Sequence, residues 1–378
     1  MKVSIFISTA VALFMSSGLL LHAQKNSYSH EISAYGRSSY ILPTSGYFCG
    51  SNPTGMPLTQ SMSGLLEYTF SYPSESLYHS YQGIGAGIHS FGSHQHIGTP
   101  LSLYFVQGAS LAKMGSWATL DYRWNLGLSY GWQNKESKLT STKTNAYLSI
   151  GMYLSLYAGR HFKLSVGPEF AHYSNGDTKF PNGGTNTVGL RAGMSVRTGN
   201  RERLPETDML LRKEESFSKR MSYDLTFHGA WRADRNIIDN RIYVINRKFP
   251  VCGITFNPLY HFHRYVSLGP PSDPIYDSSA DLVPQINGQK EMTGYDQPQW
   301  WKQMAPGISL RTEFRMAFVA VNAGYGYSFC HKGSELDVTY FIFNMKTFMS
   351  DRFYLNVGYR LNSKISTHCL MFGLGWSL

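Results

Sequence analysis

Past its first residues, the 378-residue chain has no apolar run long enough for a membrane helix. Charge is sparse: only 15% of residues are Asp, Glu, Lys or Arg. Acidic residues are fewer still, 24 against 34 basic ones, and the formal net charge is +10. The excess is not gathered into a dense basic run, which argues against a nucleic-acid partner and leaves a phosphate-rich one. Cysteine is scarce. Cys49, Cys252, Cys330 and Cys369 stand far apart and match no metal-ligand spacing, so neither a metal nor another cofactor is implied. What is abundant is aromatic residues (15%), with 36 glycines and 26 tyrosines. A membrane β-barrel combines these traits: its lumen is polar, its outside apolar, and its interfaces carry aromatic girdles. Composition alone would also suit a soluble, secreted β-sandwich.

The start of the chain predicts export. Lys2 supplies a positive end, Val3 to Leu21 is mostly apolar, and Leu21-His22-Ala23 forms a small-residue cleavage site before Gln24. Residues 1–23 are read as a signal peptide and 24–378 as the exported barrel. Loss of Lys2 would bring the charge from +10 to +9. The same run is long enough to serve as an uncleaved anchor.

Period-two alternation is the main structural signal. In 118–132 the even positions carry Leu120, Tyr122, Trp124, Leu126 and Leu128, and the odd ones Asp121, Arg123, Asn125 and Ser129. In 146–158, Leu148, Ile150, Met152 and Leu154 oppose Tyr147, Ser149, Gly151 and Ser155. The apolar parity is expected to face lipid. The chain ends in the same way, with Leu370, Phe372, Leu374, Trp376 and Leu378 opposing Cys369, Met371, Gly373, Gly375 and Ser377. Thirteen such segments are legible, and the obscure region 234–317 should add one or three. The expected fold is all-β: one antiparallel transmembrane outer-membrane barrel of fourteen or sixteen strands. Residues 264–304, with Pro270-Pro271, Pro274 and Pro284, read as one long extracellular loop. Connections after odd strands are long and those after even strands short, which puts 175–185 at the extracellular rim. The charged segment 200–219 breaks that rule.

One constellation carries chemistry. In the strand 161–174, His172 and Ser174 share parity with Phe162, Leu164, Val166 and Phe170. In the next strand Asn186 shares parity with Val188, Leu190 and Met194. His, Ser and Asn would then project outward side by side near the rim. Polar groups facing lipid are costly unless they bond one another. A histidine can accept a serine proton, a third residue can orient the histidine, and the N–H groups of Asn175 and Gly176 could face a developing oxyanion. A His-x-Ser by itself is weak, since such residues also mark strand ends at the interface, and Asn-Gly is a common turn pair. His94, His96, His261 and His263 form two His-x-His pairs without a third ligand at suitable spacing, and read as loop or girdle residues.

His172-Tyr173-Ser174-Asn175-Gly176, followed by Pro181-Asn182 and Gly184, resembles the signature of PagL-type lipid A 3-O-deacylases. The resemblance covers 60–200, and the C-terminal part is similar in general terms to larger exported acyloxyacyl hydrolases. It implies an outer-membrane esterase acting on lipopolysaccharide in the outer leaflet, with His172 as base, Ser174 as nucleophile and Asn175 at the oxyanion. Two departures stand out. Asn186 occupies the place of the family's acid, with Asp177 as an alternative carboxylate. The family barrel is also small, whereas this chain has strands for nearly twice its wall. A single wider barrel is expected over two small ones in tandem. The rival reading is a non-catalytic barrel, porin-like or structural, with a degenerate site.

Overall fold

The computed structural model describes residues 29–71, 80–133, 139–159, 161–198, 220–239, 241–263, 266–316, 319–329, 338–350, 352–362 and 367–378. The expected signal peptide and the segment 200–219 lie outside the described residues.

Eight antiparallel strands form a closed barrel: β1 (Ser29–Ile41), β2 (Gln60–Ser71), β3 (Ser80–Ser90), β4 (Gly98–Met114), β5 (Ala118–Trp132), β6 (Thr144–Ala158), β7 (Phe162–Ser174) and β8 (Thr185–Thr198). β8 pairs back to β1, from His30 opposite Thr198 to Ile41 opposite Thr187. A second sheet follows, from β9 (Met221–Ile238), β10 (Arg241–His263) and β11 (Val266–Gly269). The short strands β12 (Ile275–Asp277), β13 (Val283–Ile286), β14 (Met292–Asp296) and β15 (Met304–Ala305) come next. Then come β16 (Gly307–Met316), β17 (Val319–Ser328), β18 (Thr339–Phe348), β19 (Phe353–Asn362) and β20 (Thr367–Ser377). β20 pairs with β9, and β11 joins β10 to β16, so eight of these strands also close into a ring.

The expectation of one barrel of fourteen or sixteen strands is therefore corrected. Among the described residues sixteen wall strands are present, as two rings of eight in tandem. The interior gives the reason. An eight-stranded ring is just wide enough for side chains to fill. Across the first lumen Arg37 and Arg191 both reach Glu169, while Arg123 and Arg191 both reach Glu67, all of them buried. Such buried charges are tolerable only when paired, and a ring twice as wide would hold them apart. The second lumen is filled likewise, with Lys346 on Asp224 and Glu313, and Arg311 on Asp273. Residues 264–304 are not a plain loop either. They open with β11 and hold β12 to β15, with β13 and β14 forming a hairpin.

Outward parity agrees with the alternation. Ile32, Leu66, Leu103, Ile150, Met152, Leu164 and Leu190 stand exposed around the first barrel, a band suited to lipid. β5 departs from this. Tyr122 and Trp124 point outward but are buried, packed with Ala109 against Val319 of β17. Gln107, also on the outer wall, bonds the Trp124 indole and the Tyr122 hydroxyl. The second barrel, rather than lipid, covers this part of the first.

Two outcomes follow from walls and lumens of this kind. Leu190→Arg, at an exposed wall position 62% accessible, should destabilise the folded barrel by about 2–4 kcal/mol in urea titrations in bilayers. The protein in a planar bilayer should show no steady ohmic conductance, and a stable open step would mean that the ion-paired lumens part.

Candidate active site

Register builds the site. His172 of β7 lies directly opposite Asn186 of β8. His172 Nδ1 is 2.6 Å from Asn186 Oδ1, and His172 Nε2 is 2.9 Å from Ser174 Oγ. Asn186 Nδ2 donates to Thr44 Oγ1 at 2.9 Å, from the connection between β1 and β2. In this orientation Nδ2 engages Thr44 and Oδ1 faces the ring. Nδ1 then carries the proton and Nε2 keeps a lone pair toward the serine hydroxyl. His172, Ser174 and Asn186 thus form one hydrogen-bonded row on the outer wall, with Ser174 only 5% accessible.

The loop after β7 shapes the other side. Gly176 and Asp177 both adopt left-handed backbone, φ 65° and 57°. This turn brings the Gly176 N–H to 3.4 Å from Ser174 Oγ. Asn175 is committed elsewhere. Its N–H donates to Asn182 Oδ1, and its side-chain amide donates to the Lys179 carbonyl at 2.7 Å. Asp177 is turned to Asn182, whose Nδ2 donates to its carboxylate at 2.9 Å, while the ring nitrogen it would have served is held by Asn186. Thr44 was missed by sequence reasoning because it is 142 residues from Asn186 and carries no local signal. Of the histidine pairs, His94 bonds Thr99, and His261 sits between Ser222 and Ser267. Among the described residues no group of His, Cys, Asp and Glu could hold a metal ion.

The arrangement is a tandem membrane-type barrel with a Ser–His–Asn row on its outer wall. Two family models match it. Lipid A 3-O-deacylase (PagL) matches residues 59–195, and the acyloxyacyl hydrolase C-terminal domain matches 221–378. Together they cover most of the chain, the first ending within β8 and the second starting at the first residue of β9. The chain belongs to the PagL lipid A 3-O-deacylase family, with an acyloxyacyl hydrolase C-terminal domain as its second barrel.

A comparison with curated proteins finds none that matches. Solved structures resemble the chain only distantly. CdiB from Acinetobacter baumannii is 9% identical at TM-score 0.19, over 93% of this chain and 60% of that one. An outer membrane channel from Pseudomonas putida is 10% identical at TM-score 0.21, over 94% and 96%. The siderophore receptor PirA from Pseudomonas aeruginosa is 6% identical at TM-score 0.25, over 94% and 81%. The fold therefore rests on this chain's own strand pairing and not on those likenesses.

Asn182 is the pin of the site loop, since it bonds both Asn175 and Asp177. Asn182→Ala should leave the barrel folded and heat-modifiable on a gel, yet speed tryptic cleavage at the exposed Lys179. An unchanged cleavage rate would show that the loop is held by other contacts.

Proposed function

We propose that this protein is an outer-membrane esterase that hydrolyses an ester-linked acyl chain of lipid A. Ser174 is the nucleophile, His172 the base, and Asn186 the residue that orients it. The observation that carries this reading is the single imidazole bonded at once to Asn186 and Ser174. Family membership supplies the substrate class. The rim bearing the site also carries the three longest connections of the first ring, 42–59, 133–143 and 175–184, and long loops of such barrels are extracellular. On this reading the row lies in the outer leaflet, where lipopolysaccharide resides. Export through cleavage of residues 1–23 belongs to the same reading.

The chemistry balances without a cofactor. Ser174 Oγ attacks the acyl carbon while its proton passes to His172 Nε2. Negative charge develops on the former carbonyl oxygen, and the Gly176 N–H is placed to donate to it. Collapse breaks the ester C–O bond. The departing sugar oxygen takes the proton from His172, leaving an acyl-serine. Water then attacks that acyl group, giving its proton to His172, and the fatty acid leaves as Ser174 is restored. Asn186 holds Nδ1–H throughout but brings no charge to the imidazolium. The porin-like alternative is disfavoured by lumens crossed with buried ion pairs.

Mass spectrometry of lipid A from cells with and without the protein should show loss of one hydroxyacyl unit. Ser174→Ala and His172→Ala should each abolish that loss with the barrel still heat-modifiable. Full activity in Ser174→Ala would end the esterase reading. Thr44 offers a finer measurement. Thr44→Val lets the Asn186 amide turn, and should slow turnover on the order of tenfold. In an Asn186→Asp background, where both oxygens accept, Thr44→Val should cost far less. Equal losses in both backgrounds would mean that Thr44 does not act through the amide.

A further inference from the structure

The nucleophile of an outward-facing site on a lone barrel would look straight into lipid. Here Ser174 is buried, and the second barrel contributes. The ring of Tyr359, on β19, meets the His172 ring edge-on, with centroids 6.2 Å apart and planes at 86°. A Cβ placed on Gly176 would lie 3.6 Å from Cβ of Leu370 on β20. The Ala233 N–H of β9 donates to the Asp177 carbonyl at 2.7 Å. Three strands of the C-terminal barrel therefore touch the residues that hold or flank Ser174.

One side of the row stays open. Below His172 on the same wall, Phe170 is exposed, as are its register partners Ile150 on β6 and Val188 on β8. Beside His172, Tyr359 shares its outward parity with Val357 and Leu355, all half-buried. The strip is apolar, begins at the nucleophile and descends along the wall, so its occupant is a hydrocarbon chain whose carbonyl ends at Ser174.

We propose that the second barrel forms part of the substrate site, and that Tyr359 is a specificity-determining residue: its ring walls the acyl-chain groove beside His172 and Ser174. This rests on the esterase reading above. An aromatic wall restricts which chains seat with the ester at Oγ. Removing it should broaden that choice without touching the groups that perform the reaction.

The test uses the full chain in detergent or vesicles with p-nitrophenyl octanoate and palmitate, beside lipid A itself. Tyr359→Ala should change the palmitate-to-octanoate ratio of kcat/KM by roughly tenfold or more, chiefly through KM. Tyr359→Phe should leave the ratio near wild type. If Tyr359→Ala misfolds, Tyr359→Trp decides the matter, because a larger ring should shift the ratio toward the shorter ester. An unchanged ratio in a folded Tyr359→Ala, with turnover still lost in Ser174→Ala, would overturn this proposal and leave the esterase reading standing. A wild-type protein that cleaves none of the esters, lipid A included, would remove both.

Discussion

The β7–β8 register is the constraint on which the candidate site depends. Side chains alternate between lumen and outer wall, so a one-residue slip would exchange the faces. His172 and Ser174 would then sit among the interior arginines, and Tyr173 and Glu169 would face outward. The lumen resists that slip. Arg191 of β8 bonds Glu169 of β7 at 2.9 Å and also reaches Glu67 on β2, while Arg37 on β1 bonds Glu169 from the far side. Removing either partner of such a buried pair leaves an uncompensated charge, a penalty of several kcal/mol. The ion pairs within the lumen therefore specify where the polar row on the outside falls.

Much of this was legible from local pattern, and its limits follow from what is local. Parity is a property of a single strand, so the outward row of His172, Ser174 and Asn186 could be read from neighbours two positions apart. Ring closure is not local. Nothing in the alternation of β8 says whether its free edge will meet β1 or β9, and β1 lies more than a hundred residues back. The strands missed in 234–317 were hidden for another reason. β10 contains Pro250 and Pro258, and β11 is four residues long, so neither shows a clean period of two. Thr44 and Tyr359 belong to the same non-local class, since each reaches the site from another strand connection or another ring.

The second barrel also changes what an outer wall means. Trp124 is 4% accessible although its parity points away from the lumen, because the neighbouring ring replaces lipid there. That replacement permits a polar side chain on the wall: Gln107 is buried at the same seam with both ends of its amide bonded to aromatic partners. On bare lipid the same amide would be expensive. The seam thus relaxes the composition rule along one flank of the first barrel, and the candidate site lies at the upper end of that flank.

The neutral third residue follows from the same setting. A carboxylate at position 186 would put a full charge on a wall whose nearest outward neighbour along the strand is Val188, and ionised groups are costly in such surroundings. An amide costs less there, and both of its ends are bonded, Oδ1 to His172 and Nδ2 to Thr44. It keeps the tautomer that leaves Nε2 free to accept a proton, which is the larger part of an orienting residue's task. In the proposed reaction, what it gives up is charge stabilisation of the imidazolium in the transition state. Burial of Ser174 offsets some of that loss, because a drier nucleophile strengthens the dipoles beside it, among them the Gly176 N–H. A tandem barrel and an uncharged third residue are then compatible: Ser174 is buried where the rings meet, and an amide at 186 with both ends bonded costs less on that wall than a carboxylate.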